Sequence, residues 1–198
     1  MTLALVVGLE LIGTTMSKSK SKLLFADKVV PEWIIQSNQI ENIYDEKEHL
    51  RSGMAWNELY LGVDKLTWDY ILETHKQIMQ HQRPDIAGKL RTVQVYVGDR
   101  KCPPPIMVGE LMSQWLKQHA KANTWPKIKK AHIAFEHMHP FEDGNGRTGR
   151  MIMNWQRVRL AGLKPLCIYA GKRWDYYKWF TTEEERIQKV LKQLGVKL

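Results

Sequence analysis

The chain has 198 residues, 43% of them hydrophobic and eight of them tryptophan, which suits one domain with a sizeable core and is too apolar for a disordered chain. Its two cysteines, Cys102 and Cys167, leave a structural zinc site without ligands, and their lack of paired spacing points to a reducing, cytoplasmic setting. The formal net charge of +9 raises nucleic acid as a partner. The lysines are dispersed, however, over Lys18, Lys20 and Lys22 and then Lys117, Lys121, Lys127, Lys129 and Lys130. No recognised nucleic-acid module accompanies them, so they read as a solvated basic surface with some attraction for acidic partners, and nucleic acid is not expected.

Met1 to Ile12 is apolar, but Glu10 interrupts it and no basic region precedes it. It is too short to span a bilayer and wrongly flanked for a signal peptide, so no membrane association is expected. Serine and lysine alternate from Ser17 to Lys22, and Met16 just before them is a candidate translation start. Residues 1–22 therefore read as a flexible leader and residues 23–198 as the folded domain. Pro31 and Glu32 suit a helix N-terminus, and the helix is expected to run over about 31–44. Trp33, Ile40 and Tyr44 form its apolar stripe, with Ser37 and Glu41 one turn apart on a neighbouring face. From Thr67 to Gln80, Trp68, Ile71, Leu72, His75 and Ile78 recur at helical spacing and predict a core helix in which His75 is interior, not a ligand. Arg83-Pro84 and Ala87-Gly88 break the pattern.

Val93, Val95 and Val97 then alternate with Gln94 and Tyr96 before Gly98-Asp99, the signature of a strand and a tight hairpin turn. Pro103, Pro104 and Pro105 cut the return strand short. A helical stretch follows through Met107, Leu111, Trp115 and Leu116, and another starts at Trp125-Pro126. Ile128, Ala131, Phe135 and Met138 carry the latter to an end near His137, and Pro140 punctuates it. Arg150, Met151, Asn154, Trp155 and Val158 predict a further helix that stops at Gly162. Trp174, Tyr176, Tyr177, Trp179 and Phe180 form a dense aromatic segment, and Ile187, Val190, Leu191 and Leu194 give the tail from Glu183 to Leu198 an amphipathic stripe. The expected fold is mainly α with one small β-hairpin.

Between two of these helices lies His139-Pro140-Phe141-Glu142-Asp143-Gly144-Asn145-Gly146-Arg147-Thr148-Gly149-Arg150. Each residue type there answers a demand of phosphate chemistry. A helix N-terminus offers unpaired N–H groups and a partial positive charge. Gly144 and Gly146 allow positive φ and close backbone approach, so that successive N–H groups form a nest for phosphate oxygens. Arg147 and Arg150, one turn apart, present planar forks to a polyphosphate. Asp143 offers a hard oxygen to a magnesium ion, and His139 is poised to accept a proton near neutrality. A calcium loop fails, since counting from Asp143 puts Arg147 fifth and Asn154 twelfth. His132, Glu136, His137 and His139 match neither the H-E-x-x-H zinc spacing nor its inverse.

These twelve residues fit throughout the H-P-F-x-[D/E]-G-N-G-R-x-x-R signature, and the chain resembles the Fic family. The resemblance implies a helical Fic domain that moves AMP from ATP, with Mg²⁺, to a Tyr, Thr or Ser hydroxyl of a target protein. It casts His139 as the general base, Asp143 as the metal ligand, Gly144, Asn145 and Gly146 as the anion hole, Arg147 as the grip on the β- and γ-phosphates and Arg150 on the γ-phosphate. The segment Ser37-Asn38-Gln39-Ile40-Glu41-Asn42 is similar to the [S/T]-x-x-x-E-[G/N] motif of Fic proteins carrying an inhibitory helix, which casts Ser37, Glu41 and Asn42 as an inhibitor. The resemblance also makes the hairpin of Val93, Val95 and Val97 a flap that docks the target segment, and places Tyr176 or Tyr177 in an adenine pocket. Transfer of another phosphate-containing group, removal of AMP and a non-catalytic nucleotide-responsive or nucleic-acid-binding module stay open, the last disfavoured by the intact His139.

Overall fold

Apolar spacings of three and four dominate the sequence, and helices dominate the computed structural model, which describes residues 30–181. The expected leader at 1–22 and the expected tail helix from Glu183 lie outside the described residues. In chain order the elements are α1 (Glu32–Ile40), α2 (Glu46–Gly62), α3 (Trp68–Met79), the strands β1 (Tyr96–Val97) and β2 (Arg100–Lys101), α4 (Val108–His119), α5 (Trp125–Met138), α6 (Asn145–Trp155) and a short α7 (Arg173–Tyr177). Helix α2 packs on α1 and α3, α5 on α4 and α6, and α3 and α1 both reach α6. Helix α6 is the axis of the bundle: every residue from Arg147 to Trp155 is buried. Around it Trp33, Trp56, Leu59, Ile71, Met79, Met112, Trp115, Phe135 and Phe141 close one continuous core. Each such side chain contributes roughly 1.5–3 kcal/mol on burial.

Helix α1 is shorter than expected. It stops at Ile40 because Asn42 adopts φ 61°, which lets Ile43 N–H return to Asn38 O at 3.1 Å and Asn42 N–H to Gln39 O at 3.0 Å, a complete Schellman stop. Tyr44 therefore falls beyond the helix and is 64% exposed, so it is not part of the apolar stripe; Ile34 and Ser37 are buried instead. Helix α2 corresponds to no expected element. Its buried side mixes Glu48, His49 and Ser52 with Ala55, Trp56 and Leu59, while Leu50 and Met54 face outward, which blurs the apolar period. The polar residues have a purpose: Asn38 Nδ2 donates to His49 Nδ1 at 3.0 Å and Ser52 Oγ to Asn38 Oδ1 at 3.2 Å, seating α1 on α2.

The strand is also shorter than the alternation at 93–97 predicts. Only Tyr96 and Val97 pair, antiparallel with Lys101 and Arg100. Below them the legs are bridged by Cys102 N–H to Val95 O at 3.2 Å and by the Gln94 amide, which donates to both Val95 O and Cys102 O. Val93 and Val97 are exposed, because the hairpin projects from the bundle and its alternation serves no buried face.

His75 sits where the core meets the motif loop. Its ring stacks on Phe141 at 3.7 Å between centroids and 2° between planes. Nε2 lies 3.0 Å from Asp143 O and Nδ1 accepts Gly88 N–H at 3.0 Å, so the proton is on Nε2. Burial pushes this imidazole down to about 4. Since the folded pKa lies below the ordinary 6.5, the stabilisation is full above pH 6.5 and is lost as pH falls toward 4. His75→Ala is expected to cost about 2 kcal/mol at pH 7, read by denaturant melts, because it removes a stack and leaves two part-buried backbone groups without this partner. The variant should also lose less stability than the parent between pH 6.5 and 5; an unchanged pH slope would contradict the assignment.

Candidate active site

Two backbone reversals build the site. Helix α5 ends at Met138, and His139 takes φ 52°, ψ 64°, a conformation uncommon for a residue with a Cβ and held only by its surroundings. Gly144, at φ 74°, then turns the loop into α6. A Cβ at Gly144 would meet Met79 Sδ at 2.7 Å as well, so both conformation and space require glycine. Gly146 differs from expectation: it has no positive φ and lies inside the first turn of α6. Its lack of a Cβ serves close approach, for a Cβ there would collide with Glu41 Oε1 and crowd Arg150 Nη1 at 2.9 Å.

No side chain caps the N-terminus of α6. The Asn145 side chain is committed to the loop, accepting Phe141 N–H at 2.8 Å and donating to Phe141 O at 2.9 Å, so only its backbone faces an anion. Asp143 is exposed; one carboxylate oxygen accepts Gly144 N–H at 2.6 Å. Arg147 is buried and donates through Nη2 to Gln82 Oε1 at 3.0 Å, beside Met79 Sδ at 2.9 Å. Its Nε and Nη1 are buried with no partner, an arrangement a second anionic group would complete. Burial holds this guanidinium below its ordinary value.

Arg150 turns to the other side of α6. Its Nε donates to Ser37 Oγ at 2.8 Å, and its Nη2 to Ser37 O at 2.8 Å and to Glu41 Oε1 at 2.7 Å. Burial opposes the charge and the Glu41 carboxylate more than offsets it, leaving Arg150 above its ordinary value. Asn42 Oδ1 accepts from Arg173 Nη1 at 3.2 Å. The Schellman stop explains the order Glu41-Asn42: the helix ends immediately after the carboxylate, which projects over the first turn of α6. The structure thus brings Ser37 and Glu41 onto Arg150, across more than a hundred residues of chain.

His139 Nδ1 lies 3.2 Å from Glu136 O, an acceptor only, so Nδ1 carries the proton and Nε2 the lone pair. Burial lowers this imidazole to about 4, with the charges of Arg100 and Arg91 adding to the effect. It is neutral, and a competent proton acceptor, throughout the neutral range. Beneath it the Glu136 carboxyl is buried, 4.0 Å from His139 Nδ1 and 4.0 Å from His132 Nε2. Burial raises it to about 7. A Cβ at Gly149 would collide with Glu136 Oε1, so that glycine makes room for the carboxyl. Tyr176 is buried behind Arg150, with its hydroxyl 2.8 Å from His132 Nε2 and 3.5 Å from Arg150 Nη1. Tyr177 is half-buried and packs edge-on against Trp174. In the sequence His132 and Glu136 figure only within a zinc spacing that fails, and Arg91 and Arg100 carry no signal there.

The arrangement offers a neutral base, an uncapped helix N-terminus and an arginine on either side of α6. Among the described residues no three His, Cys, Asp or Glu side chains cluster as a metal cage, and none of the described helices is long and apolar enough to cross a membrane. The family model described as Fic/DOC matches residues 65–156. The chain is 31% identical over 186 residues to "Protein adenylyltransferase Fic" of Culex quinquefasciatus, covering 90% of this chain and 36% of that protein. It is 30% identical over 174 residues to the protein of the same name from Nematostella vectensis, covering 84% and 39%. The chain thus spans little more than a third of the length of these relatives. Among solved structures it is similar in fold to Fic-1 of C. elegans, with a TM-score of 0.61 at 20% identity over 83% of this chain and 58% of that one. A Fic domain containing signaling protein from Bacteroides thetaiotaomicron gives 0.61 at 20%, covering 81% and 74%.

Proposed function

We propose that this chain, which belongs to the Fic/DOC family, transfers AMP from ATP to a hydroxyl side chain of a target protein, and that Glu41 holds the activity down. The observation that carries this reading is the carboxylate of Glu41 seated at the N-terminus of α6 on a buried arginine, 2.7 Å from its Nη2. A helix N-terminus flanked by two guanidiniums is an anion site, and the chain's own carboxylate fills part of it.

In the reaction the target hydroxyl oxygen attacks the α-phosphorus, the bond from that phosphorus to the β-phosphate oxygen breaks, and the hydroxyl proton passes to His139 Nε2. Pyrophosphate leaves with its charge held by the α6 N–H groups, Arg147 and Arg150. Catalysis is then largely positioning and charge stabilisation. The outer edges of the two-stranded hairpin give an extended target segment a main-chain partner, with Val93, Val95 and Val97 beside it. Tyr177, half-buried, and Tyr176, buried with its hydroxyl 3.5 Å from Arg150 Nη1, are the candidates for an adenine pocket.

Mg²⁺ fits this site as a companion of the nucleotide. Asp143 has one carboxylate oxygen outside its bond to Gly144 N–H, and a single carboxylate plus phosphate oxygens is the usual magnesium set. Such an ion neutralises phosphate charge and orients the leaving group. Asp143→Ala is expected to weaken magnesium-dependent ATP binding and turnover together; superimposable magnesium titrations of variant and parent would rule the assignment out. The activity itself is tested by mass spectrometry of a lysate incubated with ATP and the Glu41→Gly protein. Adenosine monophosphate on serine, threonine or tyrosine is the expected product, and phosphate alone or no addition contradicts it.

A further inference from the structure

We propose that the hairpin arginines Arg91 and Arg100 are the mount of His139, positioning residues that hold the base in its left-handed turn and tie it to the flap. This rests on the reading of His139 as the base. The last carbonyls of a helix have no partner within it, and at the end of α5 they are satisfied from the hairpin. Arg100, on β2, donates through Nη2 to Glu136 O at 3.1 Å and through Nη1 to His137 O at 3.0 Å. Arg91, just before β1 and 3% exposed, donates through Nη2 to Met138 O at 3.4 Å and through Nε to His139 O at 2.7 Å. Its own N–H reaches Pro140 O at 3.0 Å.

The same Arg91 guanidinium grips both legs of the hairpin, at Val93 O (3.1 Å) and Pro103 O (2.6 Å). Five consecutive carbonyls, from Glu136 to Pro140, thus hang on two residues of the element proposed to dock the target. The two cations also complement the negative end of the α5 dipole. A residue before proline is normally driven to extended backbone, and His139 precedes Pro140. Without the two forks the carbonyls of His137, Met138 and His139 lose these donors, and the turn rests on His139 N–H to Phe135 O at 2.9 Å, His139 Nδ1 to Glu136 O at 3.2 Å and the Asn145 clasp on Phe141.

The charges that face the His139 ring are Arg100 and Arg91 from the hairpin, Glu41 from α1 and Glu136 from α5 itself. The first two favour the neutral ring and Glu41 opposes them. Geometry and charge can therefore be separated at Arg100, which is only partly buried and tolerates substitution better than Arg91. Arg100→Gln removes the charge, whereas Arg100→Lys keeps it and loses the fork.

The test uses the full chain carrying Glu41→Gly. His139 is titrated by NMR of its ring carbons, and AMP transfer is measured at saturating ATP. Both Arg100 variants should transfer at least about tenfold more slowly with little change in KM for ATP, as expected of a displaced base. The His139 midpoint should rise toward 6.5 in Arg100→Gln, which loses a like charge and loosens the buried seat of the ring, and should rise less in Arg100→Lys, which loses only the fork. Parental rates in both variants, or an unmoved midpoint in Arg100→Gln, would overturn the proposal. If the parent transfers nothing, the proposed activity fails, and the ring titration still judges the mount by itself.

Discussion

Glu41→Gly is expected to raise adenylylation, including self-modification, at least about tenfold over the parent, the equivalent of roughly 1.4 kcal/mol of released inhibition. The carboxylate occupies Arg150 Nη2 and lies over Gly146, where a phosphate oxygen would need both the fork and the close backbone. On the proposed reading, its presence would keep ATP from settling with its α-phosphorus in line with the attacking oxygen. Removing it frees Nη2 for the nucleotide without disturbing Ser37, which still receives Nε. The substitution has a second consequence, because a buried cation loses its counter-charge: the variant should be less stable by about 2 kcal/mol, read by melting without nucleotide. Activity and stability should move in opposite directions. Arg150→Ala should be inactive, and the double variant also, since releasing the inhibitor cannot restore a missing clamp. A Glu41→Gly protein no more active than the parent removes the case for autoinhibition and leaves the catalytic assignments standing.

His139→Ala in the Glu41→Gly background is expected to lower transfer by about 10² to 10⁴-fold, the usual worth of a positioned general base. ATP affinity should remain within about twofold, because the proposed mechanism assigns the imidazole to the incoming hydroxyl and the phosphates to α6 and its arginines. Calorimetric titration with ATP beside a transfer assay separates the two. Loss of ATP binding equal to the loss of rate would mean that His139 organises the nucleotide site instead.

What the sequence disclosed and what it hid follow from how each function is distributed along the chain. The loop from His139 to Arg150 is contiguous, and its residue types are costly to explain by packing, so it stands out as a candidate phosphate site without coordinates. Glu41 stands out for a related reason, its spacing of one turn from Ser37, whereas the stop at Asn42 does not, and the sequence carries the helix on to Tyr44. Helix α2 escapes notice because its buried Glu48, His49 and Ser52 are polar in order to seat α1, and that need exists only in three dimensions. The hairpin is readable as an element but not in length, since its valines face no core. Arg91 and Arg100 are hidden most completely. Arg91 stands in an irregular stretch and Arg100 on a two-residue strand, and each is indistinguishable from a solvated arginine until the carbonyls of α5 are seen to depend on it.

The most direct test of the account is the fate of the α-phosphate. The Glu41→Gly protein is incubated with lysate and magnesium in two parallel reactions, one with ATP labelled at the α-phosphorus and one with ATP labelled at the γ-phosphorus, and protein-bound label is counted. Transfer of AMP predicts that the α-label enters protein, the γ-label leaves with pyrophosphate, and neither enters protein when His139 is alanine. Protein labelled from the γ-position, or α-label that persists without His139, would contradict it.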